Sequence, residues 1–346
     1  MIDKNYCMSS FLAFRYVANE DYTFGEGLEN KRFFYPTGDD KCIKCDTPEE
    51  IEQAISKLLG DIDLSNAALL LSGGIDSGIL ASYMPAGTVA YTANAPTKYA
   101  QLEIDRAKAV CDMFNLEHRI VEVTWEDYES CIDDLMRHDN CPVFANEPQV
   151  YMLAKRIKED GFDTIIFGDN ADMAFGGYDG LLSKDWDFDG FVKRFTFLDA
   201  SKVLKEPVSV MDIYERYRTG ENEIDYLKFM NEIFSSSSSG AYVNAFDLCG
   251  IKYFDPYSVM KMGKPFDFYQ IRHGNSKYLL RELYRKRLNG KEPPEKIAMP
   301  RAVDKWLENW QGPQRDEFIK DCHNGLTGEQ KFLLYSLERF LNIMDL

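Results

Sequence analysis

No stretch of this 346-residue chain approaches the ~20 consecutive apolar residues that a bilayer-crossing helix needs. The amino terminus, MIDKNYCMSSFLAF, carries one lysine and an apolar stretch broken by serines, so it lacks the form of a secretory signal peptide. Basic charge is in deficit too: 40 Lys and Arg face 57 Asp and Glu, a formal net charge of −17. A surface that tracks nucleic-acid phosphates needs a basic face, so this balance argues against one while leaving room for a small cationic pocket. Cysteine is dilute, eight residues at irregular spacing, which reads as reduced thiols rather than a disulfide framework. The four histidines, His118, His138, His273 and His323, form no sequence-local metal site. Cys42-Ile-Lys-Cys45 is a CxxC without the second pair or histidines that zinc would require. Walker-type GxxxxGK(S/T), GxSxG and HExxH motifs are absent, as is any internal repeat. With 45% hydrophobic and 14% aromatic residues the chain can still build a sizeable core. The expectation is a globular, cytoplasmic protein that binds neither nucleic acid nor membrane.

Along the chain, residues 1–46 are aromatic and weakly periodic (Phe11, Phe14, Tyr16, Phe33, Phe34 and Tyr35 among them) and read as a lid or packing arm. Thr47-Pro-Glu-Glu is a helix start, with Thr as N-cap and Pro at the first position. Ala67 to Leu71 is a short continuous apolar run, as in a buried parallel strand. Alternation then continues to about residue 182: strands at 88–92, 118–123 and 163–167, helices at 99–114, 125–137 and 149–160. Strands alternating with helices predict an α/β fold with a doubly wound parallel sheet over 47–182. Residues 183–346 read as mainly helical, completing the active site, and the serine run Ser235 to Ser239 reads as a flexible loop between helices.

Chemistry concentrates where a predicted strand runs into a predicted helix, at Ser72-Gly73-Gly74-Ile75-Asp76-Ser77. Two glycines allow the backbone to turn sharply, so that several N–H groups converge on an anion. The helix that follows presents its positive end. Ser72 and Ser77 supply hydroxyls without bulk. Asp76 is out of place against a bare phosphate but in place if Mg²⁺ lies between them, since hard cations prefer carboxylate and phosphate oxygens. A second strand end carries Phe167-Gly-Asp-Asn-Ala-Asp-Met-Ala-Phe-Gly-Gly-Tyr178. In open parallel sheets ligands bind beyond the carboxyl ends of strands, and both segments lie there.

The loop at 72–77 resembles the pyrophosphate-binding loop of the N-type ATP pyrophosphatases, the PP-loop superfamily. The segment at 167–178 is similar to the SGEGSDExFGGY element of the asparagine synthetase family. Tyr253-Phe-Asp-Pro-Tyr257 is similar to that family's PFLD element, Ser276-Lys-Tyr-Leu-Leu-Arg281 to its KyxLR element and Met299-Pro-Arg301 to its RPK element. The resemblance covers the synthetase domain, and implies an ATP-dependent amide-forming ligase that adenylates a substrate carboxylate, releases pyrophosphate and lets an amine or ammonia displace AMP. It implies that Ser72, Gly73, Gly74, Asp76, Ser77, Gly168 and Arg281 hold ATP and its pyrophosphate, and that Asp76 and Asp172 hold Mg²⁺. It implies catalytic roles for Asp169, Lys277 and Arg301. Lys277 and Arg281, at i and i+4, would share a helix face.

The departures fall on the second half-reaction. Asp169 stands where the family has Glu, Ala171 and Met173 replace Ser and Glu, and Arg301 stands in the RPK lysine position, with Lys296 and Lys305 as rivals. Arginine is not an isosteric substitute for lysine. Residue 2 is Ile, and only residues 1–66 precede the first core strand, too few for the family's amino-terminal glutaminase. The partners expected are a small-molecule carboxylate and an amine or ammonia, the latter free or from a separate glutaminase subunit. Two other readings stay open: a nucleotide-binding relative that has lost amide synthesis, and a PP-loop sulfur-transfer enzyme using Cys42 and Cys45.

Overall fold

The computed structural model describes residues 1–31 and 42–346; Phe33, Phe34 and Tyr35 of the expected arm lie outside the described residues. Five parallel strands form the central sheet: β1 (Ala67–Leu70), β2 (Val89–Asn94), β3 (Glu117–Glu122), β4 (Thr164–Ile166) and β5 (Lys252–Phe254). Their order is β3-β2-β1-β4-β5. The chain winds outward from β1 through β2 to β3, then returns to place β4 on the other side of β1. That reversal opens a crevice at the carboxyl ends of β1 and β4.

Side chains alternate across the strands, and both faces are covered. Ala67, Leu69, Leu71 and Ile166 join one buried cluster, with α2 (Pro48–Gly60), α3 (Ile75–Ala81) and α4 (Ala100–Phe114) packed on it. Ala68, Val89, Tyr91 and Ile165 face the other cluster, with α5 (Trp125–Asp139) and α6 (Asn146–Glu159). Burial on both faces is why β1, β2 and β4 read as apolar runs rather than alternating ones, whereas β3 is largely exposed. The predicted helix start is present: Thr47 accepts a hydrogen bond from the Glu50 N–H at 3.2 Å, with Pro48 opening α2.

Three features depart from the sequence expectation. The weakly periodic arm contains a helix, α1 (Lys4–Phe14), with Tyr6 to Phe14 all buried. A helix covered on every side has no polar face, so periodicity cannot reveal it. The serine run is not a flexible loop: it is the first turn of α8 (Ser235–Cys249), following α7 (Phe188–Phe195), and Ser235, Ser237 and Ser239 are buried. Small hydroxylated side chains fit there because they pack closely, and the first two return their hydrogen bonds to the preceding turn, as Ser236 Oγ does to the Glu232 carbonyl at 2.8 Å. Finally, the mainly helical part supplies the sheet's edge strand β5, whose Tyr253 and Phe254 pair with Ile165 and Ile166. Farther on, α9 (Tyr278–Arg287) packs over α3, and α10 (Gly328–Ile343) packs with α5. Among the described residues no helix is long and apolar enough to cross a membrane.

Candidate active site

The glycine turn after β1 is built as its sequence dictates. Gly73 has φ +70°, and a Cβ there would collide with the backbone of Ala107 and with Arg106. Ser72 and Ser77 meet Oγ to Oγ at 3.1 Å across the turn, and Ser77 Oγ accepts from the Ser72 N–H at 3.3 Å. Asp76 lies in the first turn of α3. After β4, Gly168 and Asp169 lead into a one-turn helix, Ala171–Ala174, that carries Asp172.

Lys277 joins the two strand ends. Its Nζ is 2.5 Å from Asp76 Oδ2 and also contacts Asp172 Oδ1, while Lys296 Nζ donates to Asp172 Oδ2 at 2.7 Å and to the Gly177 carbonyl at 2.7 Å. Lys277 is 5% exposed and adopts φ +53°, just ahead of α9. It is therefore not on a helix face with Arg281; the left-handed residue turns its ammonium inward instead. Asp76 Oδ1 is buried and, among the described residues, has no hydrogen-bond partner. Gly177 is glycine of necessity, since a Cβ would strike the Asp172 carboxylate and the Lys277 stem.

The charges divide unequally. Burial, only partly offset by Lys277, pushes the Asp76 pKa up. Burial works against Asp172 as well, but Lys277 and Lys296 outweigh it and hold its pKa low. Burial lowers and the two carboxylates raise the Lys277 pKa, and the carboxylates win. Asp169 is lifted to about 7 by burial and by Asp255, itself at about 6 through burial. Asp255 Oδ2 accepts from the Asn170 N–H at 2.8 Å, and Ser239 Oγ donates to Asp169 Oδ2 at 3.1 Å.

A carboxyl whose pKa is raised by folding adds stability that is full below its unfolded pKa of about 4 and is lost as pH rises through 7. Asp169→Asn is therefore expected to be more stable than wild type at pH 8, by roughly 2–4 kcal/mol. The gap should close by pH 4 in urea unfolding. An equal difference at both pH values would show that Asp169 ionises as a solvated carboxyl does.

Two adjoining cavities form the cleft. One, about 180 Å³, lies beyond β1 and β2 and is lined by Leu71, Ser77, Thr92, Gly168 and Asp169. The other, about 110 Å³, is lined by Ser72, Gly74, Arg106, Lys277, Arg281 and Lys296. Asp76 and Asp172 line both. The structure thus brings together Ser72, Gly73, Gly74, Asp76, Ser77, Gly168, Asp169, Asp172, Lys277 and Arg281. It does not bring Arg301 with them: its Nε donates to Glu329 Oε1 at 2.6 Å and its Nη1 to Asn146, tying the 300s to α10 and α6. Lys305 is exposed, whereas Lys296 reaches Asp172. Lys296, named beside Lys305 as a rival to Arg301, is the one that reaches Asp172; Arg106, Asp255 and Ser239 were not singled out as site residues.

The cleft fits a nucleoside triphosphate with a divalent cation. Its larger end mixes apolar walls with hydroxyls and suits a nucleoside, its other end carries cations and a turn that excludes side chains, and an unpartnered buried carboxylate oxygen lies at the junction. Among the described residues no group of three or more His, Cys, Asp or Glu could hold a metal alone. Mg²⁺ usually takes one or two carboxylates and completes its shell with phosphates and water, and Asp76 and Asp172 are the carboxylates here that would serve it. Cys45 is buried and its thiol is pushed up to about 11 by burial, unlike a reactive thiolate.

Comparison with known proteins agrees with this geometry. The chain is similar to the nodule asparagine synthetase (glutamine-hydrolyzing) of Pisum sativum, 29% identical over 172 residues, covering 43% of this chain and 29% of that protein. It is also similar to the asparagine synthetase (glutamine-hydrolyzing) of Brassica oleracea, 26% identical over 141 residues, covering 37% and 23%. The chain thus spans less than a third of the length of these relatives. Among solved structures, U34-tRNA thiolase NcsA from Methanococcus maripaludis with its 4Fe-4S cluster matches 72% of this chain and 82% of its own, at 16% identity and a TM-score of 0.27, an overlap that carries no argument. The family model described as asparagine synthase matches residues 49–229, more than half the chain and including both strand-end motifs, so the chain belongs to the asparagine synthase family.

Proposed function

We propose that the chain is an ATP-dependent carbon–nitrogen ligase that forms an amide through an acyl-adenylate. The observation that carries this reading is the Asp76–Lys277–Asp172 cluster at the carboxyl ends of β1 and β4, beside the glycine turn. In the first step a substrate carboxylate oxygen attacks the ATP α-phosphorus, the bond to the β-phosphate oxygen breaks, and pyrophosphate leaves. In the second an amine nitrogen attacks the acyl carbon, loses a proton, and the carbon–oxygen bond to AMP breaks. The protein's part is positioning and neutralising charge. Ser72, Gly74, Lys277 and Arg281 surround the departing pyrophosphate, and Lys296 bridges that end of the cleft to the acyl side. Asp76 and Asp172 would hold Mg²⁺, which when bound neutralises pyrophosphate. Asp169, with a pKa near 7, is fit to take the proton from the incoming amine at neutral pH.

The test is exchange of labelled pyrophosphate into ATP across a panel of carboxylic acids. Exchange that depends on one class of acid supports the reading. Tight ATP binding with no exchange for any acid would overturn it in favour of a nucleotide-binding relative.

A further inference from the structure

A third cavity, about 380 Å³, adjoins the pyrophosphate end through Lys296, which lines both. Its walls come from the end of α1, from α7, from the turn before α8 and from residues 178–181: Arg15, Arg194, Phe195, Phe197 and Phe234, with Asp179 the one carboxylate among the described lining residues. The Arg15 guanidinium carbon lies 4.8, 5.2 and 5.3 Å from the ring centres of Phe144, Phe197 and Phe234. Among the described residues neither Arg15 nor Arg194 is ion-paired, in a chain with 57 carboxylate side chains to offer. Burial and the neighbouring Arg301 charge lower the Arg15 pKa to about 10 against the opposing pull of Glu329 and Asp169, so it stays cationic at neutral pH. Aromatic faces stabilise such a cation only modestly, and a half-buried guanidinium without a direct ion-pair partner is favourably placed to receive an anion. Planar donors ringed by apolar walls are suited to a carboxylate presented from an apolar body. A small amino acid would leave most of this cavity empty.

We propose that this cavity holds the body of the acyl acceptor, and that the acceptor is an aromatic acid carrying a second acidic group, received by Arg15 and Arg194 while the reacting carboxylate lies toward Lys296. The assignment rests on the ligase reading for its chemistry, but acid binding can be measured without ATP. Calorimetric titration of the whole chain with 4-carboxyphenylacetate, phenylacetate and aspartate should show the diacid binding about tenfold tighter than either other acid, as expected for an added charge-assisted hydrogen-bond pair. In Arg15→Gln and Arg194→Gln that preference should shrink severalfold. Arg194 is exposed, so its variant keeps the test valid if Arg15→Gln fails to fold. Replacing 4-carboxyphenylacetate by 4-phosphonophenylacetate separates a carboxylate from a phosphonate as the second group. Diacid preference without pyrophosphate exchange upholds the pocket and overturns the ligase reading. Exchange driven by aspartate or phenylacetate, and indifferent to both arginine substitutions, upholds the ligase and overturns the pocket.

Discussion

Asp76→Asn is expected to lower acid-dependent pyrophosphate exchange by about 10²–10³-fold, the range typical for removing one electrostatic contact to developing charge, while leaving the fold as stable as wild type or more so. The two halves of this expectation share one cause. In the unliganded chain Asp76 keeps one buried oxygen without a partner, and burial pushes its pKa up. Its negative charge therefore costs the folded state free energy, and a neutral isostere removes that cost. The same charge is what the proposed site needs when a triphosphate and cation arrive. Exchange kinetics and urea unfolding at pH 8 check the two together. If stability collapsed along with exchange, Asp76 would be a structural anchor and its place in the proposed mechanism would be lost.

Lys277→Met should behave in the opposite way. Its ammonium touches both Asp76 and Asp172 from a position 5% exposed, so removing it leaves two carboxylates facing each other without their shared cation. Breaking one partner of a buried ion pair typically costs about 3–5 kcal/mol. Much of that loss should return in Lys277→Met with Asp76→Asn, because the second change removes one of the stranded charges. Additive losses in the double variant would show that the three groups are not coupled.

The strand-end residues were legible because the glycine turn and the Asp172 segment are local motifs whose composition states their geometry. Ser72, Gly73, Asp76 and Ser77 lie within six consecutive positions, and the apolar run before them announces a strand. What escaped depends on distant chain. Ser239 belongs to a serine run whose composition signals a linker, yet α8 needs small residues to approach Asp169 and Asn170, which Ser239 touches at 3.1 Å. Helix α1 hid because it is buried all round. Strand β5 is three residues long and flanked by helices, too short for its own signal. Arg301 occupies the expected register of a motif, but its partners Glu329 and Asn146 hold it elsewhere, and Lys296 reaches Asp172 through a stretch with no regular structure.

Strands β4 and β5 are neighbours in the sheet although the chain between them runs from residue 167 to 251. That excursion carries Arg194, Phe195, Phe197 and Phe234 of the third cavity, while its first turn carries Asp169 and Asp172 of the cleft, whose other walls include the glycine turn, Lys277, Arg281 and Lys296. Among the described residues only Lys296 lines both the third cavity and the cleft. On the proposed reading, exchanging the walls of the excursion would change the acid accepted while the glycine turn and its carboxylates stay fixed. Acceptor identity should therefore diverge faster than nucleotide use, and grafting residues 186–234 between relatives is the economical route to a new product.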